Sequence, residues 1–308
     1  MTLTQLQYTL AVARYGNFTL AAEKSNVTQP TLSMQVQKLE EELGTVIFNR
    51  NTKPIKLTKV GEKIILQAKN IIEESQKMKS LIDQEKGVVE GEFILGIIPT
   101  VMPTLLPLFL NTFLKKFPKV SLKIEELNTQ NFIEQIIDGR LDAGIGATPL
   151  DNFKLIESPL YYEPFIGYVP ENHPLHKNKK LEINDLQSSK ILILEDGHCF
   201  RNQIINLCNI NNNDKNFSIK SGSFETMINL ADEGLGMTLL PYMHTLSLSD
   251  KKQTNLRFFD DPAPAREISL IYSKSQLKLP IISALNKVID GVIRGTIQFE
   301  NVKIIAPK

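Results

Sequence analysis

An uninterrupted helical pattern from residue 59 to residue 86 restricts the possible folds of this 308-residue chain most strongly. The stretch contains no proline, and small or apolar residues recur at alternating spacings of four and three. The residues of this seam are Ile64, Ala68, Ile71, Ser75, Met78 and Ile82. A lone helix cannot bury such a stripe, so we expect a partner, most simply the same helix of a second subunit. Packing of the helix on its own domain is the alternative. The pattern divides the chain into domain 1–58, linker 59–89 and domain 90–308.

The first 58 residues predict a helix-turn-helix followed by a small β-hairpin, or wing. Thr28 is a good N-cap for the third helix, and Pro30 is tolerated in its first turn. The apolar positions of that helix form one stripe that we predict to be buried: Leu32, Val36, Leu39 and Leu43. Residues 48–57 are polar and basic and are predicted to form the wing. A winged helix-turn-helix is an arrangement that reads double-stranded DNA.

The other face of the third helix is polar, as a surface that contacts base edges would be. Amides and hydroxyls can hydrogen-bond to bases, and basic wing residues would lie near phosphates. The predicted DNA-binding residues are Gln29, Pro30, Thr31, Ser33, Gln37, Lys38, Arg50 and Lys53. The formal net charge of the whole chain is only +1, but residues 1–69 carry nine basic against five acidic side chains. A merely solvated polar face is the alternative interpretation.

Strand and helix patterns alternate through residues 90–308, which predicts an α/β fold. The length suits two lobes that share a cleft. We expect lobe I to comprise residues 90–162 and 267–308, and lobe II residues 163–266. The N-terminal sequence has no secretory signal, and no apolar run is long enough to span a membrane. We therefore expect a protein of the reducing cytoplasm, without membrane contact.

The only two cysteines of the chain, Cys199 and Cys208, lie nine residues apart. His198 and Arg201 flank the first, and nearby positive charge favours the reactive thiolate. We predict a redox-reactive thiol with a possible resolving partner; a buried, inert thiol is the alternative.

Residues 200–207 lack proline and glycine, so the reduced segment is predicted to be helical. Nine helical residues rise about 13–14 Å, whereas a disulfide needs Cα atoms within roughly 7 Å. The helix must therefore unwind, with residues 209–213 supplying slack.

Other chemistries have little support in the sequence. There is no glycine-rich phosphate loop, nucleophile elbow or dinucleotide fingerprint. His173, His176 and His244 have no cysteine or carboxylate cluster at metal-binding spacing. We assign no metal and no cofactor.

Two segments, residues 21–33 and 39–50, resemble the N-terminal signature of LysR-type transcriptional regulators, and the resemblance extends along the whole chain. It implies a winged helix-turn-helix, a linker helix and a two-lobed α/β regulatory domain like type 2 periplasmic binding proteins. It also implies a homodimer or homotetramer that contacts RNA polymerase. Residues 195–201 with Cys208, and residues 96–101 and 234–241, resemble the peroxide-sensing members of that family.

The resemblance implies a role for each residue of the redox site. Cys199 would be the thiol that hydrogen peroxide oxidises, Cys208 the resolving thiol, and Arg201 a charged support for the thiolate. The residues expected around the peroxide are Thr100, Thr129, His198 and Arg266. Asn202 stands where the family pattern has Asp, which puts a proton route through this position in doubt.

Two other functions are compatible with the sequence. A LysR-type regulator could instead bind a small organic effector in the cleft between the lobes, with the cysteines incidental. A thiol peroxidase fused to a winged helix is the enzymatic alternative. It would need a recycling reductant and sustained turnover, whereas a sensor responds stoichiometrically.

Overall fold

The computed structural model describes residues 1–85, 89–208, 221–295, 297 and 302–307. It contains two compact units, Met1–Lys86 and Gly87–Lys308. The seam side chain of Ile82, linker residues 86–88 and the predicted slack at 209–213 lie outside the described residues. No helix in the described ranges is long and apolar enough to cross a membrane.

The N-terminal unit is the predicted winged helix-turn-helix. Its elements are α1 (Leu3–Tyr15), α2 (Phe18–Lys24), α3 (Gln29–Glu42), β1 (Phe48–Asn49), β2 (Lys56–Leu57) and α4 (Lys59–Glu85). Strands β1 and β2 pair antiparallel and form the wing. The Thr28 hydroxyl caps α3 by accepting a hydrogen bond from the Thr31 amide.

The apolar stripe of α3 is buried as predicted at Leu32, Val36 and Leu39, but the prediction for Leu43 was wrong. Leu43 follows the last residue of α3 and is 42% exposed, because the chain turns there towards Gly44.

Helix α4 shares the core of the N-terminal unit along its first half. Ala68 and Ile72 are buried in the same cluster as the residues of α1 and α3. At the start of α4, a Cβ atom on Gly61 would lie 2.2 Å from the Ile47 carbonyl oxygen. Only glycine therefore allows the helix to approach the wing this closely. Further along α4, Met78 is 69% exposed. The first half of the helix thus packs on its own domain, and Met78 does not.

The second unit is an α/β structure. Its strands are β3 (Gly91–Ile97), β4 (Val120–Glu126), β5 (Ala143–Thr148), β6 (Leu155–Tyr168), β7 (Lys180–Leu181), β8 (Ile191–Leu192), β9 (Met237–Pro241), β10 (Leu256–Phe259), β11 (Ala263–Ser273) and β12 (Val302–Ile304). Its helices are α5 (Met102–Lys116), α6 (Thr129–Ile137), α7 (Ile183–Gln187), α8 (Cys199–Cys208), α9 (Phe224–Asp232), α10 (Tyr242–Thr245), α11 (Asp250–Gln253) and α12 (Leu279–Ile293).

Two long antiparallel strands, β6 and β11, connect two halves of this unit. On one side, the sheet continues from β11 through β5 and β3 to β4, and the last three strands are parallel. On the other side, the second half of β6 pairs with β9 and β10. Strand β8 extends the sheet beyond β9, and β7 extends it beyond β10. The chain therefore passes between the halves within continuous strands, so backbone hydrogen bonds fix the residues at the crossing.

Each half has its own hydrophobic core, as expected for two lobes. Cys199 belongs to the first core, whereas Phe200, Ile204 and Cys208 belong to the second. The C-terminal strand β12, which sequence analysis places with lobe I, pairs with residues 263–265 of β11. Ile305 beyond it joins the second core. Helix α8 therefore starts at the boundary between the two cores, beside the crossing strands.

Candidate functional site

The reactive cysteine predicted from the sequence is the first residue of helix α8. Gly197, with a φ of 95°, makes the turn that leads into the helix. The Cys199 side chain is therefore close to the amide end of a ten-residue helix, where the helix dipole favours an anion. Both cysteines are free and buried. The helical prediction for this segment is confirmed.

Cys208 is the last residue of α8 and cannot reach Cys199 in this conformation. The nine-residue step along a helix corresponds to a rise of roughly 13 Å. Burial raises the pKa of the Cys208 thiol to about 12, from an ordinary value of 9.0. Within the closed helix this thiol is therefore protonated and a poor nucleophile at neutral pH.

A buried hydrogen-bonded group surrounds Arg266 on β11. Its Nη1 donates to Oγ1 of Thr100 at 2.9 Å, and its Nη2 donates to the Thr100 carbonyl at 3.0 Å. Its Nε donates to Oε2 of Glu163 at 2.9 Å. The guanidinium also lies over the ring of Phe200, 5.2 Å from the ring centroid. Phe200 follows Cys199, so the structure brings the predicted residues Thr100 and Arg266 to the start of α8.

Two more of the predicted residues carry polar atoms that point into the buried interior. Oγ1 of Thr129, the first residue of α6, and Nδ1 of His198 are buried, and neither has a hydrogen-bond partner within the described part of the chain. A Cβ atom on Gly197 would lie 3.8 Å from Nδ2 of Asn128, so the N-terminal ends of α6 and α8 are neighbours. Buried polar atoms without partners are costly, which indicates that a small polar ligand or water satisfies them.

Gly222 makes room for the His198 ring. A Cβ atom at this position would lie 2.6 Å from Nε2 of His198, which is closer than atoms can approach. The same nitrogen lies 4.0 Å from a carboxylate oxygen of Glu195. The sequence alone does not reveal this role of Gly222, because Gly222 lies 24 positions from His198 and has no side chain.

Arg201 and Asn202, in the first turn of α8, make polar contacts with residues outside the helix. Nε of Arg201 pairs with Oδ1 of Asp196 at 2.8 Å, and Nη1 donates to the Leu194 carbonyl. The Asp196 carboxylate therefore offsets the positive charge of Arg201, which the sequence analysis expects to support the Cys199 thiolate. The Asn202 amide donates to the Pro307 carbonyl at 3.4 Å. An aspartate could not make this contact in its ionised form.

Glu163 is a second residue of this site that sequence reasoning missed. It is 1% exposed, and its Oε2 lies 2.8 Å from Nη2 of Arg266. Its other oxygen, Oε1, accepts a hydrogen bond from the Met243 amide at 2.8 Å. Arg266 and Glu163 are cross-strand partners between β11 and β6. A separation of 103 positions leaves no local spacing by which the pair could have been recognised.

The predicted DNA-contacting face of α3 is accessible in the N-terminal unit. Gln29, Pro30, Thr31, Gln37 and Lys38 are exposed, and Ser33 is partly exposed. Lys53 is exposed in the loop of the wing. Two of these side chains also make local contacts. Gln37 donates to Glu41 at 3.0 Å, and the Thr31 hydroxyl lies 2.8 Å from that of Thr28.

Arg50 has a structural partner that the sequence did not reveal. Its Nη2 donates to Oε2 of Glu40 at 2.8 Å, and its guanidinium lies 5.1 Å from the centroid of the Phe18 ring. Oε1 of Glu40 accepts from the amides of Ile47 and Phe48 at the start of the wing. Arg50 thereby helps to hold the wing against α3.

Comparison with known proteins gives a consistent result for both units. Residues 3–62 match the model of the bacterial regulatory helix-turn-helix protein, lysR family, and residues 86–291 match the LysR substrate binding domain. The chain is 33% identical over 272 residues to a hydrogen peroxide-inducible genes activator of Haemophilus influenzae, covering 88% of this chain and 90% of the relative. It is also 33% identical over 274 residues to the DNA-binding transcriptional dual regulator OxyR of Escherichia coli, covering 88% and 89%.

A solved structure agrees with these matches. Full-length OxyR C199D from Pseudomonas aeruginosa is similar to this chain with a TM-score of 0.70 and 32% identity, covering 94% of this chain and 98% of that one. The two family matches together account for most of the chain and follow the two units of the structure. The chain belongs to the LysR family of bacterial regulatory helix-turn-helix proteins.

Proposed function

We propose that this protein is a DNA-binding transcriptional regulator of the cytoplasm that is switched by hydrogen peroxide at Cys199. One observation carries the proposal: a buried cysteine at the start of a helix shares its surroundings with the Thr100–Arg266 pair and with two buried polar atoms that have no partner among the described residues. Hydrogen peroxide is small enough for a buried site and can both donate and accept hydrogen bonds. The resemblance to peroxide-inducible regulators supports the same chemistry.

The first chemical step would be attack of the Cys199 thiolate on one peroxide oxygen. A sulfur–oxygen bond forms, the O–O bond breaks, and the leaving hydroxide takes up a proton and departs as water. The product is a sulfenic acid, with the sulfur oxidised and the peroxide reduced. Arg266 and the Thr100 hydroxyl would stabilise the negative charge that develops on the departing oxygen. Oγ1 of Thr129 and Nδ1 of His198 would hold the peroxide.

The second step would join the two cysteines. After α8 unwinds, the Cys208 thiolate attacks the Cys199 sulfur, a disulfide forms, and a second hydroxide is protonated to water. Loss of the helix exposes the apolar side chains of Ile204 and Leu207, which must be buried again elsewhere. That rearrangement would carry the redox signal out of the site.

The N-terminal unit would bind double-stranded DNA as part of a homodimer or homotetramer. Helix α3 would enter the major groove, with Gln29, Thr31 and Ser33 near the bases and Lys53 near a phosphate. The seam of α4 beyond Ile72 would pair subunits. RNA polymerase is the partner we expect at activated promoters.

Sub-stoichiometric peroxide tests the proposal directly. Reduced protein is treated with less than one equivalent of hydrogen peroxide, its remaining thiols are titrated, and its peptides are identified by mass spectrometry. We expect a Cys199–Cys208 disulfide in the wild type and no oxidation in Cys199→Ser. Cys208→Ser should form the sulfenic acid without the disulfide. A peroxide-dependent transcriptional response retained by Cys199→Ser would contradict the proposal.

Small-effector binding is a second candidate, because the C-terminal match is to a substrate binding domain. In that case Cys199→Ser and Cys208→Ser would leave the response to the effector intact. A peroxidase would be distinguished by turnover: with a thiol reductant present, it would consume many equivalents of peroxide per protein. We expect consumption to track the stoichiometric oxidation of the two thiols.

A further inference from the structure

We propose that Glu163 is a positioning residue for peroxide reduction, acting by holding the Arg266 guanidinium in the orientation that engages Thr100. The proposal rests on the function proposed above and adds a residue that does not itself contact peroxide. Glu163 lies on β6 and Arg266 on β11, which are the two strands that connect the lobes. Both side chains are 1% exposed, so water cannot replace either partner.

The hydrogen bonds around Glu163 leave the arginine little freedom. Oε2 of Glu163 receives Nε at 2.9 Å and lies 2.8 Å from Nη2, and Oε1 is held by the Met243 amide at 2.8 Å. The backbone of α10 thus anchors the carboxylate, and the carboxylate in turn fixes one edge of the guanidinium. The adjacent edge, formed by Nη1 and Nη2, is then directed at both oxygens of Thr100.

This orientation determines what the Thr100 hydroxyl can do. Because Oγ1 accepts a hydrogen bond from Nη1 of Arg266, its own hydrogen must point away from the guanidinium. The hydroxyl is then a directed donor whose polarity is increased by a charged neighbour. If the guanidinium turned, Thr100 would lose this constraint, and a buried arginine would lose its counter-charge.

Other titratable groups near the pair do not replace the carboxylate. Burial raises the pKa of Tyr161 well above 10.0, with Glu163 raising it further and Arg266 opposing them. Burial and then Arg266 lower the pKa of His244, while Glu225 raises it. Tyr161 is therefore neutral at neutral pH, and Glu163 is the carboxylate that pairs with Arg266 in the described structure.

Glu163→Gln breaks this arrangement with almost no change in volume. A glutamine offers one oxygen and one NH₂ group. The oxygen can accept from either Met243 or Arg266, and the NH₂ group must then face the N–H donors of the other. We expect the rate constant for Cys199 oxidation by hydrogen peroxide to fall on the order of ten- to a hundred-fold, as for a misplaced transition-state donor. The full-length reduced protein is used, and sulfenic acid formation is trapped and quantified by mass spectrometry.

Alkylation of Cys199 by iodoacetamide separates positioning from general damage. This reaction also needs the thiolate, but it has no O–O bond for Arg266 and Thr100 to polarise. An uncompensated guanidinium would favour the Cys199 thiolate, so we expect the alkylation rate of Glu163→Gln to equal or exceed that of the wild type.

Glu267→Gln is the matched control. Its carboxylate is adjacent on β11 but accepts from Thr148 at 2.6 Å, and its peroxide rate should match the wild type.

Glu163→Asp keeps the charge but withdraws the carboxylate by one methylene, and we expect its peroxide rate to lie between those of the wild type and Glu163→Gln. Folding is checked by thermal unfolding. The proposal is overturned if folded Glu163→Gln oxidises within about two-fold of the wild type, or if oxidation and alkylation fall together. Failure of both variants to fold would make Glu163 purely structural and would also overturn it. Wild-type Cys199 reacting no faster with peroxide than free cysteine would instead refute the proposed function.

Discussion

At the scale of single residues, two basic side chains of the wing that look alike in the sequence have different surroundings. Lys53 is exposed in the wing loop, whereas Arg50 binds Glu40 and stacks over Phe18. Glu40 is only 10% exposed, and Arg50 is the cation that pairs with it. Removing Arg50 would leave a largely buried carboxylate with only its backbone donors. Of the two, Lys53 is the residue that we expect to act mainly through phosphate contact.

Lys53→Ala should therefore lose DNA affinity, whereas Arg50→Ala should lose stability. We expect Lys53→Ala to weaken binding to specific and scrambled duplexes alike, and to lower the salt slope by roughly one unit for a lost phosphate contact. Its melting temperature should not change. Arg50→Ala should destabilise the N-terminal unit by about 1 kcal/mol, a modest value because Arg50 is partly solvated. Binding at several salt concentrations and thermal unfolding measure the two effects. Equal stability of both variants would contradict the structural role of Arg50.

The buried thiol of Cys208 should make stability depend on pH. Its folded pKa of about 12 exceeds the ordinary 9.0, so its contribution is fully present below pH 9 and is lost as pH rises towards 12. Cys208→Ala removes this titration. We expect the difference in unfolding free energy between the reduced wild type and Cys208→Ala to be constant below pH 9 and to shift against the wild type above it. A difference independent of pH would show that Cys208 is solvated in the native state.

The residues that could be predicted from the sequence were those with local signals or family motifs. Cys199 and Cys208 are the only cysteines, and Thr28 has the spacing of a helix cap. Glu163 could not be found in this way. Its importance arises from a cross-strand pairing with Arg266, and that pairing depends on register rather than on spacing along the chain.

At the scale of elements, α8 is attached to the C-terminal segment through a row of side-chain amides. Gln203 donates to the Ile305 carbonyl at 2.7 Å, Asn206 to that of Ala306 at 3.2 Å, and Asn202 to that of Pro307 at 3.4 Å. The same segment pairs with β11 just before Arg266, where the Ile305 amide donates to the Ala265 carbonyl at 2.8 Å. The C-terminal segment therefore contacts two of the elements that supply residues of the redox site, α8 and β11.

Unwinding of α8 must break these three amide contacts. We expect disulfide formation to reduce hydrogen-exchange protection across residues 199–208 and residues 302–307 together, at roughly 1 kcal/mol per lost hydrogen bond. Helix α12 should keep its protection and serves as an internal reference. Peroxide-treated Cys208→Ser, which can form the sulfenic acid but not the disulfide, should retain both protected regions. Unchanged protection at 302–307 after complete disulfide formation would show that the segment is independent of the switch.

Elements with a clear period were predicted well, and those defined by long-range pairing were not. The sequence patterns predict strands at 93–98 and 121–126 and a helix at 131–137, close to the observed β3, β4 and α6, and the predicted helical segment 200–207 lies within α8. Strands β10 and β12 were missed because each is short and gains its identity from pairing with β6 or β11. The pattern predicts a strand only at 165–169, so most of β6 was also missed, since Pro159 and Pro164 interrupt its strand pattern.

At the scale of the whole molecule, α4 has two environments along one continuous seam. On the seam, Ala68 is buried within the N-terminal unit and Ile64 and Ile71 are partly buried there; Ile72, beside the seam, is also buried. Met78, on the same seam, is 69% exposed. The sequence predicted the stripe but could not divide it between the domain and a second subunit, because both uses require the same spacing. The exposed continuation of the seam is where we expect a partner helix.

Met78→Glu should therefore weaken dimerisation without unfolding the N-terminal unit. A carboxylate on the seam would face its symmetry mate across a paired helix, and burying it there without a counter-charge is unfavourable. Leu66→Glu is the matched control, because Leu66 is 65% exposed on the same helix but lies off the seam. Sedimentation should show Met78→Glu dissociating at concentrations where the wild type and Leu66→Glu remain associated. DNA binding should fall in parallel, since two half-sites require two subunits. Equal association of both variants would place the subunit contact away from this stretch of α4.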